Sequence, residues 1–301
     1  MNAVIRTHQL SRRFGRKEAV RNLSLEVPAG SIYAFLGPNG AGKTTTIKML
    51  MNILAPSGGQ AEVLGRNAQA LDRAAFTRIG YVSENQKMPD WMTVRQFIDF
   101  CRPLYPDWDE AFGQRLLKQF DLPLDRKLGQ LSRGMKVKAA LLTSLAYKPE
   151  LLVLDEPFSG LDPLVRDEFI RGVLELTEES NWTVFVSSHD IDEVERLADW
   201  VGIINEGELM LSESTASLQA RFRQVELTRA DEGALPAGLP VGWLVPEQNG
   251  RVVRWVDSGY EEAALAAAVA QHFPGGRLDR VAPLSLRDIF LSLARTYRLG
   301  R

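Results

Sequence analysis

A single cysteine in 301 residues, Cys101, rules out an internal disulfide, and a lone thiol of this kind is expected to pack between helices in a reducing compartment. Neither sign of charge is in excess. The chain has 36 Lys and Arg against 38 Asp and Glu, a formal net charge of −2, which gives no electrostatic case for a nucleic-acid partner. Long apolar runs are also missing. The longest aliphatic stretch, residues 263–270, is alanine-rich and bounded by Glu261, Glu262, Gln271 and His272. It reads as a short amphipathic helix, below the roughly 18 apolar residues of a membrane span. Residues 1–8 lack the apolar core of a signal peptide. The expected location is therefore the cytoplasm, with any membrane contact made through a partner.

The remaining composition is that of an ordinary globular protein, 45% hydrophobic and 25% charged. At about 150 residues per domain, the length suggests one large domain and a smaller one. Residues 23–27 alternate apolar and polar before a Pro28-Ala29-Gly30 turn, as an antiparallel edge would. Strands are expected at 31–36, 61–64, 78–83, 150–155 and 183–187, building a parallel core, with crossover helices at 164–179 and 191–198. Between residues 93 and 130 the period is helical: Val94, Phe97, Ile98 and Leu104, then Phe112, Leu116, Leu117 and Phe120, punctuated by Pro103, Pro106 and Pro123. Residues 212–224 are polar. Beyond them come strand-like runs at 225–228, 243–245 and 251–256 and helical segments at 260–273 and 285–297. The reading is α/β, with domains at 1–215 and 222–301.

Residues 37–44 read Gly-Pro-Asn-Gly-Ala-Gly-Lys-Thr, between a buried strand and a helix that opens with Thr44, Thr45 and Thr46. Glycines at these positions let backbone N–H groups turn inward as an anion nest, and the helix N-terminus behind them adds partial positive charge. Gly37, Pro38, Asn39, Gly40, Ala41, Gly42, Lys43, Thr44 and Thr45 are thus candidates for cradling a triphosphate. Lys43 would reach the β- and γ-phosphates, and the Thr44 hydroxyl would ligate a bridging Mg²⁺. At the end of the 150–155 strand, Asp155 and Glu156 stand side by side where an open α/β sheet places ligand groups. Asp155 is the candidate for the metal and Glu156 for the attacking water. Asp155 as a helix N-cap followed by a first-turn acid is the plainer alternative.

Leu131-Ser-Arg-Gly-Met135 precedes Leu152-Val-Leu-Asp-Glu-Pro157, followed by Ser159-Gly-Leu-Asp162 and Ser188-His189-Asp190. This order resembles an ATP-binding cassette (ABC) ATPase over residues 1 to about 215. The resemblance implies a P-loop NTPase (RecA-like) core with an N-terminal antiparallel β subdomain and a helical subdomain, and leaves a small C-terminal α/β domain outside it. It also implies ATP and Mg²⁺ as ligands and a head-to-tail pair of cassettes, as homodimer or heterodimer, sandwiching two ATP. Each site then uses the phosphate loop of one chain and Ser132 and Gly134 of the other. The family's more common pentapeptide is Leu-Ser-Gly-Gly-Gln; here Arg133 replaces a glycine and Met135 the glutamine.

By the same resemblance His189 hydrogen-bonds the γ-phosphate, Asp162 belongs to the loop that crosses to the partner, and Phe14 stacks on adenine. Asp162 followed by Pro163 also reads as an N-cap and first-turn proline. Glu84 falls at the position of the family's metal-contacting glutamine, with Gln86 two residues on as the alternative. One phosphate loop and a short stretch from Lys43 to Ser132 separate the chain from two-cassette translation-factor relatives and from coiled-coil chromosome ATPases. Residues 105–109, 121–125 and 284–290 resemble bacterial exporter-type subunits, whose integral membrane permease is a separate polypeptide. That places the chain on the inner face of the cell membrane. An ABC ATPase regulating a soluble partner is the alternative, and a GTPase or kinase with a similar loop is a third reading. Trp91, Phe97, Phe100 and Trp108 are candidates for gripping the permease or for the core.

Overall fold

A computed structural model describes residues 2–83, 86–180 and 182–299. The chain divides into two compact units, one running to Ser212 and one starting at Glu213.

The first unit opens with β1 (Ala3–Phe14), β2 (Lys17–Leu23) and β3 (Glu26–Pro28). β4 (Ile32–Leu36) then delivers the phosphate loop and α1 (Lys43–Leu50) leaves it. β5 (Gly58–Val63) pairs with β1 on one side and with β6 (Arg66–Asn67) on the other, forming an antiparallel sheet in the order β2-β1-β5-β6, with β3 also on β1. The 61–64 segment thus joins the antiparallel layer rather than the parallel core. Its burial explains why: Ala61 and Val63 face inward while Gln60 and Glu62 are exposed, the alternation of a sheet with one wet face. The short helix α2 (Arg73–Phe76) and β7 (Ile79–Ser83) lead to α3 (Val94–Cys101), α4 (Glu110–Gln119) and α5 (Arg133–Leu145). Each of these three helices starts on a side-chain cap: Thr93 with Gln96 as a reciprocal capping box, Asp109, and Ser132.

β8 (Leu151–Asp155), α6 (Pro163–Ser180), β9 (Thr183–Ser188), β10 (Trp200–Asn205) and β11 (Glu208–Ser214) complete a six-stranded sheet in the order β11-β10-β4-β9-β8-β7. β10, β4, β9, β8 and β7 run parallel. β4, β8 and β9 are buried at every residue, so they read as continuous apolar runs. Tyr33 stacks on Phe185 and Phe35 meets the same ring at a tilt in this layer, each fully buried large side chain contributing about 1.5–3 kcal/mol over exposure. The expected helix at 191–198 is one 3₁₀ turn, Ile191–Glu193, followed by hydrogen-bonded turns. The Asp199 carboxylate accepts the Ile32 N–H at 2.8 Å, which stops the segment and launches β10.

In the second unit α7 (Thr215–Arg221) is followed by β12 (Arg223–Thr228), β13 (Trp243–Asn249), β14 (Val252–Asp257), α8 (Glu262–His272), β15 (Arg277–Pro283) and α9 (Leu286–Leu299). The sheet order is β13-β14-β12-β15. Val225, Leu227, Val253 and Trp255 bury one face against Leu265, Val269 and Phe273. The polar stretch after residue 212 contains a helix, capped by Ser214.

Candidate nucleotide site

The parallel strand order carries three chain segments to one sheet edge. β9 lies between β4 and β8, so the loop after β4, the acids ending β8 and the histidine after β9 are neighbours. Gly37 N–H donates to Ser188 C=O at 3.3 Å across this edge.

The loop after β4 closes on Gly42, which N-caps α1 at φ 111 with no side-chain cap. Only glycine fits there, because a Cβ would lie 2.5 Å from Ala19 C=O. The first N–H groups of α1 have no carbonyl one turn back within the helix, and no acid sits in its first turn. An anion is the partner such an end favours.

Lys43 is buried and donates to Gly37 C=O at 2.5 Å and Pro38 C=O at 3.2 Å. Its ammonium also lies 3.0 Å from Glu156 Oε1. Glu156 Oε2 meets His189 Nδ1 at 2.7 Å. Because a carboxylate only accepts, that ring nitrogen carries the proton. Glu156 has φ 51, a left-handed conformation that costs a non-glycine residue about 1–3 kcal/mol and marks functional turns. Its N–H is held at 3.0 Å by the Ser187 hydroxyl, which itself donates to Asp155 Oδ1 at 2.9 Å. Thr44 Oγ1 donates to the same Asp155 oxygen at 3.0 Å.

Above this floor is a cavity of about 530 Å³. Asn39, Gly40, Gly42, Lys43, Thr44 and Thr45 line it together with Glu156 and His189. Phe14, 47% exposed, also lines it, with the Arg12 guanidinium 4.7 Å from its ring centroid. The glycine-rich loop backbone and an aromatic face therefore line the same cavity. Among the described residues no three His, Cys, Asp or Glu side chains form a metal cluster. A hydroxyl and one carboxylate nevertheless suit Mg²⁺, which takes its remaining ligands from phosphate oxygens and water.

Lys17 and Ala19 line the cavity without having been picked out in the sequence, Ser159 lines it after being quoted only within its motif, and Ser187 was not picked out as the clasp between Asp155 and Glu156. The pairing Asp155↔Ser187 on adjacent parallel strands is the signal that would have found it. Gly37, Pro38 and Ala41 shape the loop from behind rather than lining the cavity: Ala41 N–H donates to Pro38 C=O at 3.1 Å. Ser132 and Gly134 lie outside the cavity, at the start of α5. Ser132 is exposed and its Oγ accepts Met135 N–H at 3.2 Å. Gly134 is buried, and a Cβ there would approach Val165 Cγ1 to 2.9 Å. Arg133 packs over Gly160, where a Cβ would be 3.0 Å from its Nη1. Asp162 accepts Val165 N–H at 3.1 Å, capping α6. Glu84 lies outside the described residues; Gln86 is exposed.

The aromatic candidates of the helical region divide. Phe97 is core at 7% exposure and Trp108 is half-buried, while Trp91 and Phe100 are 68% and 56% exposed.

The ABC transporter family profile matches residues 20–159. The bacitracin transport ATP-binding protein BcrA of Bacillus licheniformis is 37% identical over 212 residues, covering 70% of this chain and 69% of its own length. An uncharacterized ABC transporter ATP-binding protein of Synechocystis is 36% identical over 287 residues, covering 92% of this chain and 75% of its own. Among solved structures, a dimeric ATP-binding cassette in a post-hydrolysis state, bound to ADP and Pi, aligns with a TM-score of 0.63 at 21% identity. That alignment covers 70% of this chain and 98% of the other, a likeness of fold.

Proposed function

Because this chain belongs to the ABC transporter ATP-binding family and is an ATPase, we propose that it works as half of a head-to-tail pair around two ATP, driving export through a separate membrane permease. The observation that carries the proposal is the shared floor of Lys43, Glu156 and His189 beneath a cavity rimmed by the first turn of α1.

The chemistry follows from these residues. The loop N–H groups and Lys43 bind the β- and γ-phosphates, while Phe14 offers its face to the base. Mg²⁺, held by Thr44 and Asp155, would neutralise charge on the bridging phosphate oxygens. Glu156 orients the attacking water and accepts its proton. His189 steadies Glu156 through Nδ1–H, and donating to a phosphate oxygen through Nε2 as well requires the imidazolium form, with both nitrogens protonated. Ser132 and Gly134 stand away from this cavity at the start of α5, whose first turn carries Arg133 and no acid, and such a helix start suits the γ-phosphate held by a facing chain.

Two further observations support coupling to a permease. Trp91, Phe100 and Leu104 present exposed apolar side chains in the helical region, available to a protein contact. Among the described residues no helix is long and apolar enough to cross a membrane, so attachment to the inner membrane face runs through the permease. Transport of bacitracin, named for two relatives, supports export as the direction.

The test is Mg²⁺-dependent ATP hydrolysis by the purified chain across a concentration series, beside a covalently enforced single copy. Hydrolysis that rises with the square of concentration and is absent in the single copy is expected; full-rate turnover by the single copy defeats the paired-site reading. An affinity-tagged chain extracted from native membranes should bring down a multi-span protein that stimulates its ATPase, and recovery without one removes the transport assignment.

A further inference from the structure

His189 receives its partner Glu156 from the front, but the turn that carries it is knitted from behind. Ser188 is fully buried, and its hydroxyl donates to Glu193 Oε2 at 2.5 Å while accepting Asp190 N–H at 3.0 Å. The residues on both sides of His189 are therefore joined through one oxygen. Glu193 is only 4% exposed and sits on the 3₁₀ turn between Ile191 and Val194, both buried. Its other oxygen, Oε1, is 3.4 Å from Arg166 Nη2, one turn into α6 beyond Asp162. Burial pushes the Glu193 carboxyl above the usual carboxylate range and nearby Asp190 adds to this, while Ser188, Arg166 and His189 pull it back.

A carboxylate in such a place is poor evidence of a stabilising device, because desolvation offsets most of what its partners return. What it supplies is orientation. An apolar residue of similar size would fill the space but release the Ser188 hydroxyl from its tie to the 3₁₀ turn and α6, leaving it only the Asp190 carbonyl at 3.0 Å to donate to.

We propose that Glu193 is a positioning residue for His189, acting through Ser188 and anchored to α6 by Arg166. The inference rests on the reading that His189 serves ATP hydrolysis. Glu193 touches neither nucleotide loop nor cavity; it fixes where the imidazole stands relative to Glu156, and displacement of a reacting group by about 1 Å can cost a hundredfold in rate.

The experiment uses the full chain with Glu193→Ala, Glu193→Gln and His189→Ala. Gln keeps an oxygen for the Ser188 hydroxyl while losing the charge. Expected for Glu193→Ala is a kcat for ATP lowered by roughly tenfold or more, KM within about twofold, and recovery by Glu193→Gln to within about threefold of wild type. The imidazole resonance of His189 is the second readout, resolved because the chain has only three histidines. It should move in Glu193→Ala and return in Glu193→Gln. A kcat unchanged in Glu193→Ala, with only the melting temperature lowered, overturns the proposal, as does a loss that Gln does not recover. Should Glu193→Ala not fold, Ser188→Ala removes the other half of the same hydrogen bond and is read in the same way. If His189→Ala hydrolyses ATP at the wild-type rate, the functional reading has failed separately. The resonance then decides alone: unmoved by Glu193→Ala it rejects positioning, and moved it upholds it.

Discussion

Glu156 divides its carboxylate between two partners, Lys43 Nζ at 3.0 Å from Oε1 and His189 Nδ1 at 2.7 Å from Oε2. Glu156→Gln preserves the shape, and Lys43 keeps two loop carbonyls, so its buried ammonium is not stranded. What disappears is the base. Turnover should fall by roughly a hundredfold or more while ATP still binds and the dimer accumulates. Steady-state hydrolysis together with size-exclusion chromatography in ATP and Mg²⁺ checks both, and a variant that stays monomeric under ATP counts against closure by nucleotide.

Ser187 joins the two acids. Its hydroxyl donates to Asp155 and accepts the Glu156 N–H, with all three groups buried. Ser187→Ala leaves the buried Glu156 N–H without this acceptor, while Asp155 Oδ1 keeps Thr44, at a cost of about 1–3 kcal/mol. The urea midpoint should fall, and half-maximal ATPase should need more Mg²⁺, since Asp155 loses the Ser187 donor that helps Thr44 orient it. An unchanged Mg²⁺ titration would show that Asp155 is held without Ser187.

Phe14 separates base recognition from phosphate recognition. Stacking on a ring contributes about 0.5–1.5 kcal/mol beyond area, so Phe14→Ala should weaken ATP binding roughly threefold to tenfold. Phe14→Tyr should hold wild-type affinity. Inorganic tripolyphosphate, which has no base, should bind wild type and Phe14→Ala alike. A parallel loss for tripolyphosphate would mean that Phe14 supports the loop rather than the base.

The groups legible in the sequence are those whose chemistry lies in one short run: residues 37–44, the pair Asp155 and Glu156 ending an apolar strand, and His189 after another. The cavity assembles all three runs. What was not legible depends on which strands become neighbours. Ser187 matters because β9 lies beside β8, and Lys17 because the β1–β2 hairpin sets it opposite Phe14. Trp200 to Asn205 went unread as a strand, although its partner is the strand that carries the phosphate loop. Periodicity did not separate Phe97 from Phe100 on α3, since three residues apart on a helix can straddle the edge of the buried stripe. The segment at 61–64 shows the same limit: its residues specify a strand, but only pairing with β1 makes it antiparallel.

Cys101 offers a test of packing in the helical region. Burial raises its thiol from an ordinary value of 9.0 to about 11, with the Thr143 hydroxyl pulling the other way. Being the only cysteine, it reports without interference. At pH 8 it should resist a disulfide-exchange reagent in the native chain and react fully in urea, because the thiolate is the reacting form. The linkage has a definite sign. The folded state holds the thiol proton more tightly than the unfolded chain, so this contribution to stability is fully present below about pH 9 and is lost as pH rises through about 11. Burial also shifts the buried tyrosines upward, so the comparison is with Cys101→Ala. Lost packing lowers its stability by an amount constant with pH, whereas the gap between wild type and variant should narrow from pH 8.5 to 10.5. A gap that stays constant, or native labelling at pH 8, would place the thiol in contact with water.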